Sequence, residues 1–338
     1  MNPQLRMTAI QEAELTMIQA SSLTLTYPSG KGVFDLDFDI KEGQVTGYLG
    51  PNGAGKTTTI RALMGFMKPD SGDCSIDGLD CYHQAPEIQR RLGYIPGEIS
   101  FPDKMRGEEF LVFMDQMRGG RNGGSGARQR ELLDMFELNP TGKINKFSKG
   151  MKQKLGIVAA FMHDPRFLIL DEPTSGLDPL MQNRFVELIR SERNRGKTIL
   201  MSSHSFEEVE KTCDDVLIIR EGRIIHRSAA DELKSSRLRR YRLRVSDPAS
   251  ARSRFAEAGF EVNGVNRENS SDTQQTYIEI AVPGDAVDKF IKLTADFEVF
   301  DLDLKSQTLE EVFMKFYSGT EISNNKKPAE DEATEVSR

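Results

Sequence analysis

Gly50-Pro51-Asn52-Gly53-Ala54-Gly55-Lys56-Thr57 fits the pattern GxxxxGK[ST]. It lies between a short apolar run, Gln44 to Leu49, and a helical stretch, Thr58 to Met67, which is the context the pattern requires. Glycines let backbone N–H groups curl around phosphate oxygens with no side chain in the way. The helix that follows adds the positive end of its dipole. In such a loop Lys56 reaches the β- and γ-phosphates of a nucleotide and Thr57 holds Mg²⁺, with Thr58 at the start of the helix. A glycine-rich turn with a chance Lys-Thr pair is the bland alternative, and the strand and helix flanks weigh against it. Further along, Phe167-Leu168-Ile169-Leu170 runs into Asp171-Glu172. A carboxylate at the end of such a strand grips Mg²⁺, a role that suits Asp171. Glu172 is placed to take a hydrogen bond from an attacking water as general base. An acidic turn after a strand is common in isolation; next to a phosphate loop that becomes the minor reading.

The elements that must position these residues follow from periodicity. Residues 17–49 read as strands with turns, and Thr24 to Tyr27 precede a Pro-Ser-Gly turn. Phe34, Leu36, Phe38 and Ile40 alternate with acidic residues, which predicts a half-buried strand with those four on its inner face. Residues 104–163 read mainly as helices, interrupted at Arg118 to Gly126, where five glycines in nine residues mark a flexible loop. Phe167 to Leu170 and Thr198 to Met201 are strands, Leu180 to Asn194 and Phe206 to Thr212 helices. Val216 to Ile219 and Arg223 to His226 form a hairpin around Glu221-Gly222. Composition shifts near residue 235. Beyond it the order is strand (239–245), helix (248–258), strands (260–268 and 276–283), helix (285–296) and strand (297–305), a βαββαβ pattern. A last helix, Leu309 to Tyr317, carries Leu309, Val312, Phe313 and Phe316 on one side. The tail 319–338 is polar and reads as disordered.

Composition narrows the classes. A chain of 338 residues, 38% apolar and 29% charged, is a globular protein of about two domains. A net charge of −7 and a pI near 5.4 exclude a dedicated nucleic-acid binder, which needs a concentrated basic surface. The one basic run, Arg237 to Arg244, alternates with Leu238, Tyr241 and Leu243 and reads as the charged face of a strand. Cys74, Cys81 and Cys213 form no CxxC pair, so neither a disulfide framework nor a zinc site is implied and a reducing compartment fits. Met1 to Ala20 lacks the apolar core of a signal peptide, and Met7 and Met17 are alternative starts. No stretch approaches about 18 uncharged apolar residues, so a membrane role requires a partner.

Four motifs in order resemble the ABC (ATP-binding cassette) ATPases across residues 17–235. The phosphate loop is the first. Phe147-Ser148-Lys149-Gly150-Met151 occupies the signature segment of that family, and Leu170-Asp171-Glu172-Pro173-Thr174-Ser175-Gly176-Leu177-Asp178-Pro179 resembles its acidic strand and D-loop. His204, in Ser202-Ser203-His204, stands where the family has its switch histidine. Tyr27 stands where an aromatic stacks on adenine. The resemblance implies an α/β P-loop ATPase cassette over 17–235, with a mixed sheet core, N-terminal antiparallel strands and a helical subdomain at about 100–163. A small α+β domain, 236–318, follows.

The same resemblance implies ATP and Mg²⁺ as ligands and a head-to-tail dimer, homodimeric or heterodimeric. Ser148 and Gly150 of one copy then close on the γ-phosphate held by the other. Integral-membrane permease subunits are the implied partners, with the chain peripheral on the cytoplasmic face and segment 104–145 toward the permease. Two departures stand out. Lys149 and Met151 replace a glycine and a glutamine of the family pattern, so a degenerate, non-hydrolytic site is an alternative that Glu172 opposes. The family's Q-loop glutamine falls near Tyr94-Ile95-Pro96, where Gly97 and Glu98 follow; either Glu98 supplies the metal- or water-facing oxygen or solvent does. His204 has a rival role as a helix cap, Tyr27 as a core aromatic, and Asp178 as the cap of the next helix rather than a link between sites. The signature variant, the Gly-Glu loop and the C-terminal extension resemble the bacterial drug- and lipid-export branch. The C-terminal domain is a dimer brace, a regulatory module or a passive appendage. A soluble ATPase of translation or DNA maintenance and an ATP-dependent regulator with little turnover are the competing functions. The former usually carry paired cassettes, coiled-coil insertions or zinc modules, none of which is visible.

Overall fold

The computed structural model describes residues 16–102, 104–119, 126–235, 239–270, 273–283 and 286–306. The chain opens with β1 (Thr16–Thr26) and β2 (Gly32–Lys41), an antiparallel pair joined through the turn after Tyr27. β3 (Val45–Leu49) is buried at every position and runs into the phosphate loop and α1 (Lys56–Leu63). β4 (Ser71–Ile76), β5 (Leu79–Asp80), α2 (Ala85–Arg91) and β6 (Leu92–Ile95) come next. Three helices follow: α3 (Gly107–Met117), α4 (Gly126–Met135) and α5 (Lys149–Phe161), with a 3-10 turn at Ile144–Lys146. β7 (Phe167–Asp171), α6 (Pro179–Asn194), β8 (Thr198–Ser203), α7 (Phe206–Thr212), β9 (Asp215–Arg220), β10 (Arg223–Ala229) and α8 (Ala230–Ser235) complete this part.

Two sheets result. The first is antiparallel, in the order β2-β1-β4-β5. The second runs β10-β9-β3-β8-β7-β6, parallel throughout except for β10 at its edge. The hydrophobic pattern explains the division. β3, β7 and β8 are buried at all positions, as strands covered on both faces must be. β2 buries alternate residues, as a strand with one wet face does. Two apolar clusters flank the parallel sheet. One, containing Leu111, Leu132, Phe136 and Phe161, ties α3, α4 and α5 to it; the other, containing Phe38, Tyr48, Ile60 and Phe167, joins it to the antiparallel sheet and α1.

The structure corrects the alternation expected in β2. Leu36, Phe38 and Ile40 are buried, but Val33 rather than Phe34 takes the next inward place. Leu23 pairs with Leu36 and Leu25 with Val33, so β2 holds one extra residue there, and Asp35 sits at φ 52°. A bulge of one residue exchanges the two faces of a strand beyond it. Phe34 is left half-buried under the Arg223 guanidinium, 5.6 Å from its ring centre. β4, β5, α2 and β6 were not anticipated; β4 exposes its first three residues, Ser71 to Asp73, and shows little apolar periodicity.

The C-terminal part contains β11 (Arg239–Val245), α9 (Pro248–Glu257), β12 (Glu261–Ser270), β13 (Thr273–Val282), α10 (Val287–Thr294) and β14 (Val299–Ser306). Its antiparallel sheet is ordered β12-β13-β11-β14. Tyr241, Leu243 and Val245 of β11 join Phe255 of α9 and Phe290 of α10 in a separate core, with Tyr241 and Phe290 stacked at 4.4 Å. Arg240, Arg242 and Arg244 take the other face. Arg242 lies opposite Glu279 and Asp303, and Arg244 opposite Asp301, which are favourable cross-strand charge pairs. Arg237, the helix expected at 309–317, the tail 319–338 and the start positions Met1 and Met7 lie outside the described residues. No described helix is long and apolar enough to cross a membrane.

His163, just past α5, gives the fold a pH signature. Burial pushes its ring down to about 3, and the Arg118 cation adds to the effect. The unfolded chain takes up this proton near pH 6.5 while the folded chain resists, so the unfolded state binds more protons in between. Unfolding free energy measured in denaturant should therefore fall as pH drops from about 6.5 toward 3, and His163→Gln should flatten that decline.

Candidate functional site

The parallel register fixes the site. Leu49 at the end of β3 pairs with Ser203 of β8, and Asp171 at the end of β7 pairs with Ser202 of β8. Three neighbouring strands therefore end level, and the loop after each opens at the same edge of the sheet. That edge, at the carboxyl ends of parallel strands, is where such sheets bind ligands. The three loops carry Gly50 to Lys56, Glu172 and His204.

The phosphate loop has the expected cradle. Gly50 and Ala54 are buried, while Pro51, Asn52 and Gly53 are exposed at its crest. Gly55 takes φ 115° at the N-cap of α1, and no side chain caps that helix, so its first N–H groups are open to an anion. The Gly222 N–H braces the loop on the Ala54 carbonyl at 2.8 Å. Lys56 is 5% exposed; its Nζ donates to Gly50 O at 2.5 Å and lies 3.4 Å from Glu172 Oε1. Thr57 and Thr58 follow on the first turn.

Asp171 is fully buried and held by two hydroxyls. Thr57 Oγ1 donates to Oδ2 at 2.9 Å and Ser202 Oγ donates to Oδ1 at 2.5 Å. A hydroxyl and a carboxylate in contact are hard oxygen donors of the kind Mg²⁺ takes, with phosphate and water filling the remaining positions. Glu172 sits at φ 48°, a left-handed backbone that costs a non-glycine residue about 1–3 kcal/mol and concentrates at functional sites. Its N–H donates to Ser202 O at 3.2 Å and to Ser202 Oγ at 3.1 Å. Its Oε2 meets His204 Nδ1 at 2.5 Å; its Oε1 is buried, with the Lys56 ammonium nearby but no hydrogen-bond partner. The His204 ring is otherwise exposed. The arrangement offers a cation, a hydroxyl–carboxylate pair and a carboxylate oxygen that still lacks a donor.

Other sequence-predicted residues lie elsewhere. Tyr27 is half-buried past the end of β1, and its hydroxyl accepts from Arg61 at 3.2 Å and reaches Met67 Sδ at 3.4 Å. Ser148 caps α5, accepting from Met151 N at 3.2 Å and keeping its hydroxyl proton to donate. Asp178 caps α6 through Met181 N at 3.0 Å. Among the described residues no hydrogen bond or ion pair joins Ser148 or Gly150 to residues 50–58 of the same chain. The signature segment instead packs on the 173–178 loop. Lys149 Nζ bonds Ser175 Oγ at 3.2 Å, Gln153 Nε2 bonds Pro173 O at 2.6 Å, and a Cβ on Gly150 would lie 2.9 Å from Gly176 O. At the altered Q-loop, Gly97 is the residue over Asp171: a Cβ there would lie 3.1 Å from Oδ2. Glu98 lines a neighbouring cleft with Phe101, Asn145 and Lys152.

Ser202 was missed as a site residue. It is fully buried and bonds Asp171 and Glu172 at once. The signal was present in Ser202-Ser203-His204, where only the histidine was read. Ser202→Ala leaves a buried carboxylate oxygen without its donor, so unfolding free energy should fall by about 1–3 kcal/mol in denaturant titration.

Comparison with known proteins agrees with this geometry. Residues 33–175 match the family model for ABC transporters. The bacitracin transport ATP-binding protein BcrA of Bacillus licheniformis is 34% identical over 310 residues, covering 91% of this chain and 99% of that protein. The daunorubicin/doxorubicin resistance ATP-binding protein DrrA of Streptomyces peucetius is 31% identical over 94% of this chain and 95% of its own length. Among solved structures, an ATP-binding subunit of an ABC transporter superposes with a TM-score of 0.61 at 32% identity, covering 65% of this chain and 92% of that one. With the glycine loop, the acidic strand end and His204 meeting at one sheet edge, and with relatives of this identity along nearly the whole chain, the chain belongs to the family of ABC transporter ATP-binding proteins.

Proposed function

We propose that this chain binds and hydrolyses ATP with Mg²⁺ to energise a membrane transporter, an exporter whose permease subunits are separate chains. The observation that carries this reading is the meeting of Lys56, the Thr57–Asp171 pair and Glu172–His204 at one edge of the sheet. The relatives' names, bacitracin transport and daunorubicin/doxorubicin resistance, support export. Residues 17–235 form the cassette and 236–318 a second domain.

The chemistry follows from the groups present. N–H groups of the loop and Lys56 hold the β- and γ-phosphates; Tyr27 faces the adenine; Thr57 and Asp171 hold the metal. Mg²⁺, when bound, neutralises phosphate charge as the leaving oxygen develops. Glu172 takes a proton from the attacking water through Oε1, the oxygen without a donor, while His204 holds Oε2 and turns its free ring edge to the γ-phosphate. The water oxygen bonds phosphorus, the bond to the β-phosphate oxygen breaks, and ADP leaves. Positioning and charge stabilisation supply the rate. Because Ser148 and Gly150 make no bond to the loop of their own chain, they serve a partner's nucleotide in a head-to-tail pair, identical or related. With Gly97 over Asp171, solvent fills the place of the Q-loop oxygen.

The permease-facing surface is the apolar groove between Phe66, Leu92 and Tyr94 on one side and Phe113, Met114 and Met117 on the other. Phe66 is 53% and Met117 65% exposed, more than isolated surface apolar residues require. In this reading the chain is peripheral on the cytoplasmic face of the membrane, held there by the permease.

Glu172→Gln should lower ATP turnover by about 10²–10⁴-fold and yield an ATP-dependent dimer on size-exclusion chromatography. Undiminished turnover in that variant, or full turnover by a strict monomer lacking the Ser148 hydroxyl, sinks the reading. Phe66→Asp combined with Met117→Asp should leave turnover of the isolated chain unchanged yet abolish its recovery with membranes containing the permease. Retained recovery would place the docking surface elsewhere.

A further inference from the structure

Glu208, on the first turn of α7, is 7% exposed and has no part in the chemistry described above. Ser205-x-x-Glu208 has the spacing of a capping box, in which the glutamate turns back to the serine N–H. Here the Ser205 N–H donates to Ser203 Oγ at 2.9 Å, and Ser203 Oγ donates to Glu208 Oε2 at 2.7 Å. The serine hydroxyl is thus inserted between cap and carboxylate, and the resulting ring encloses the backbone of His204. Thr174 Oγ1, two residues past Glu172, donates to the same Oε2 at 3.3 Å.

Glu208 Oε1 is buried with no hydrogen-bond partner. A carboxylate serving only to cap α7 would sit at the helix surface with both oxygens satisfied. Keeping one oxygen buried and unpaired is costly, and such costs gather where function demands a fixed geometry. Burial pushes the Glu208 carboxyl up to about 7, against the opposing pull of the Ser203 and Thr174 hydroxyls. The side chain bonds the segment behind Glu172 and the segment around His204 at the same time.

We infer that Glu208 is a positioning residue for ATP hydrolysis: its carboxylate joins the Thr174 loop to the Ser203–Ser205 turn and so sets the contact between Glu172 and His204. This rests on the proposed hydrolysis by Glu172 and goes beyond it by naming what holds that carboxylate and its histidine in register. Of the two flanking segments only His204 faces a phosphate, the γ-phosphate, and the loop N–H groups with Lys56 hold both the β- and γ-phosphates, so nucleotide affinity rests mainly with the phosphate loop.

The test is steady-state ATP hydrolysis by the full chain carrying Glu208→Ala, Glu208→Gln, Ser203→Ala and the Glu208→Ala/Ser203→Ala pair. Misplacing catalytic groups by a fraction of an ångström to an ångström costs about ten- to hundredfold in rate. Glu208→Ala should therefore lower kcat by about tenfold or more with KM for ATP within about twofold. Glutamine keeps an acceptor oxygen for Ser203 and Thr174, so Glu208→Gln should recover most of that loss. The double variant should be no slower than the worse single variant, as for groups acting through one contact. Should Glu208→Ala fail to fold, Glu208→Gln and Ser203→Ala carry the test: the inference requires the first to stay near wild type and the second to lose kcat alone. Unchanged kcat in Glu208→Ala, parallel changes in kcat and KM, or fully additive losses overturn it. Wild-type protein without turnover, or an active Glu172→Gln variant, overturns the proposed function and this inference together. An inactive Glu172→Gln with an indifferent Glu208→Ala overturns this inference alone.

Discussion

Three parallel strands ending at one level is the constraint on which the site depends. β3, β8 and β7 are adjacent, and their register brings Leu49, Ser203 and Asp171 to a common edge. A slip of one residue in any of them would exchange its side chains between the two buried faces and carry its loop about 3.3 Å along the strand. The hydroxyl contacts of Asp171 and the Glu172–His204 contact have no such tolerance. The buried runs Val45–Leu49, Phe167–Asp171 and Thr198–Ser203 thus hold a polar constellation by apolar packing.

The loops of the candidate site were legible because a glycine-rich loop of this pattern and an acidic strand end tolerate few alternatives in residue type or spacing. Gly50 to Thr57, Asp171, Glu172 and His204 meet where motif and periodicity place them. What the sequence concealed has local causes. Phe34 lost its inward place to Val33 because Asp35 adopts a left-handed backbone in a bulge, and alternation alone carries no sign of that extra residue. Between residues 68 and 95 the strands are short and the first of them, β4, is polar at its start, so no period emerges. Gly97 shows its role only through the Asp171 carboxylate beside it, a contact between residues far apart in the chain. Ser202 and Glu208 likewise read as ordinary polar residues until their partners are known.

The C-terminal sheet rests on a different balance. Its basic strand β11 lies between β13 and β14, whose Glu279, Asp303 and Asp301 stand opposite Arg242 and Arg244. The charge that looked concentrated along the sequence is offset across the sheet, which accords with a protein that is acidic overall. Its core of Phe255, Phe290 and Tyr241 shares no member with the clusters around the parallel sheet.

The loop at residues 173–178 is gripped from two sides: by Lys149 and Gln153 of α5, and by Glu208 of α7. Its first residue is bonded to Glu172 by a peptide link. A tilt of α5 therefore pulls directly on the backbone beside that carboxylate, with one side-chain bond between them. The signature segment at the start of α5 and the Glu172 carboxylate are thus mechanically one part, like the two arms of a rocker. Whatever seats or unseats one arm is felt at the other before any larger rearrangement of the molecule begins.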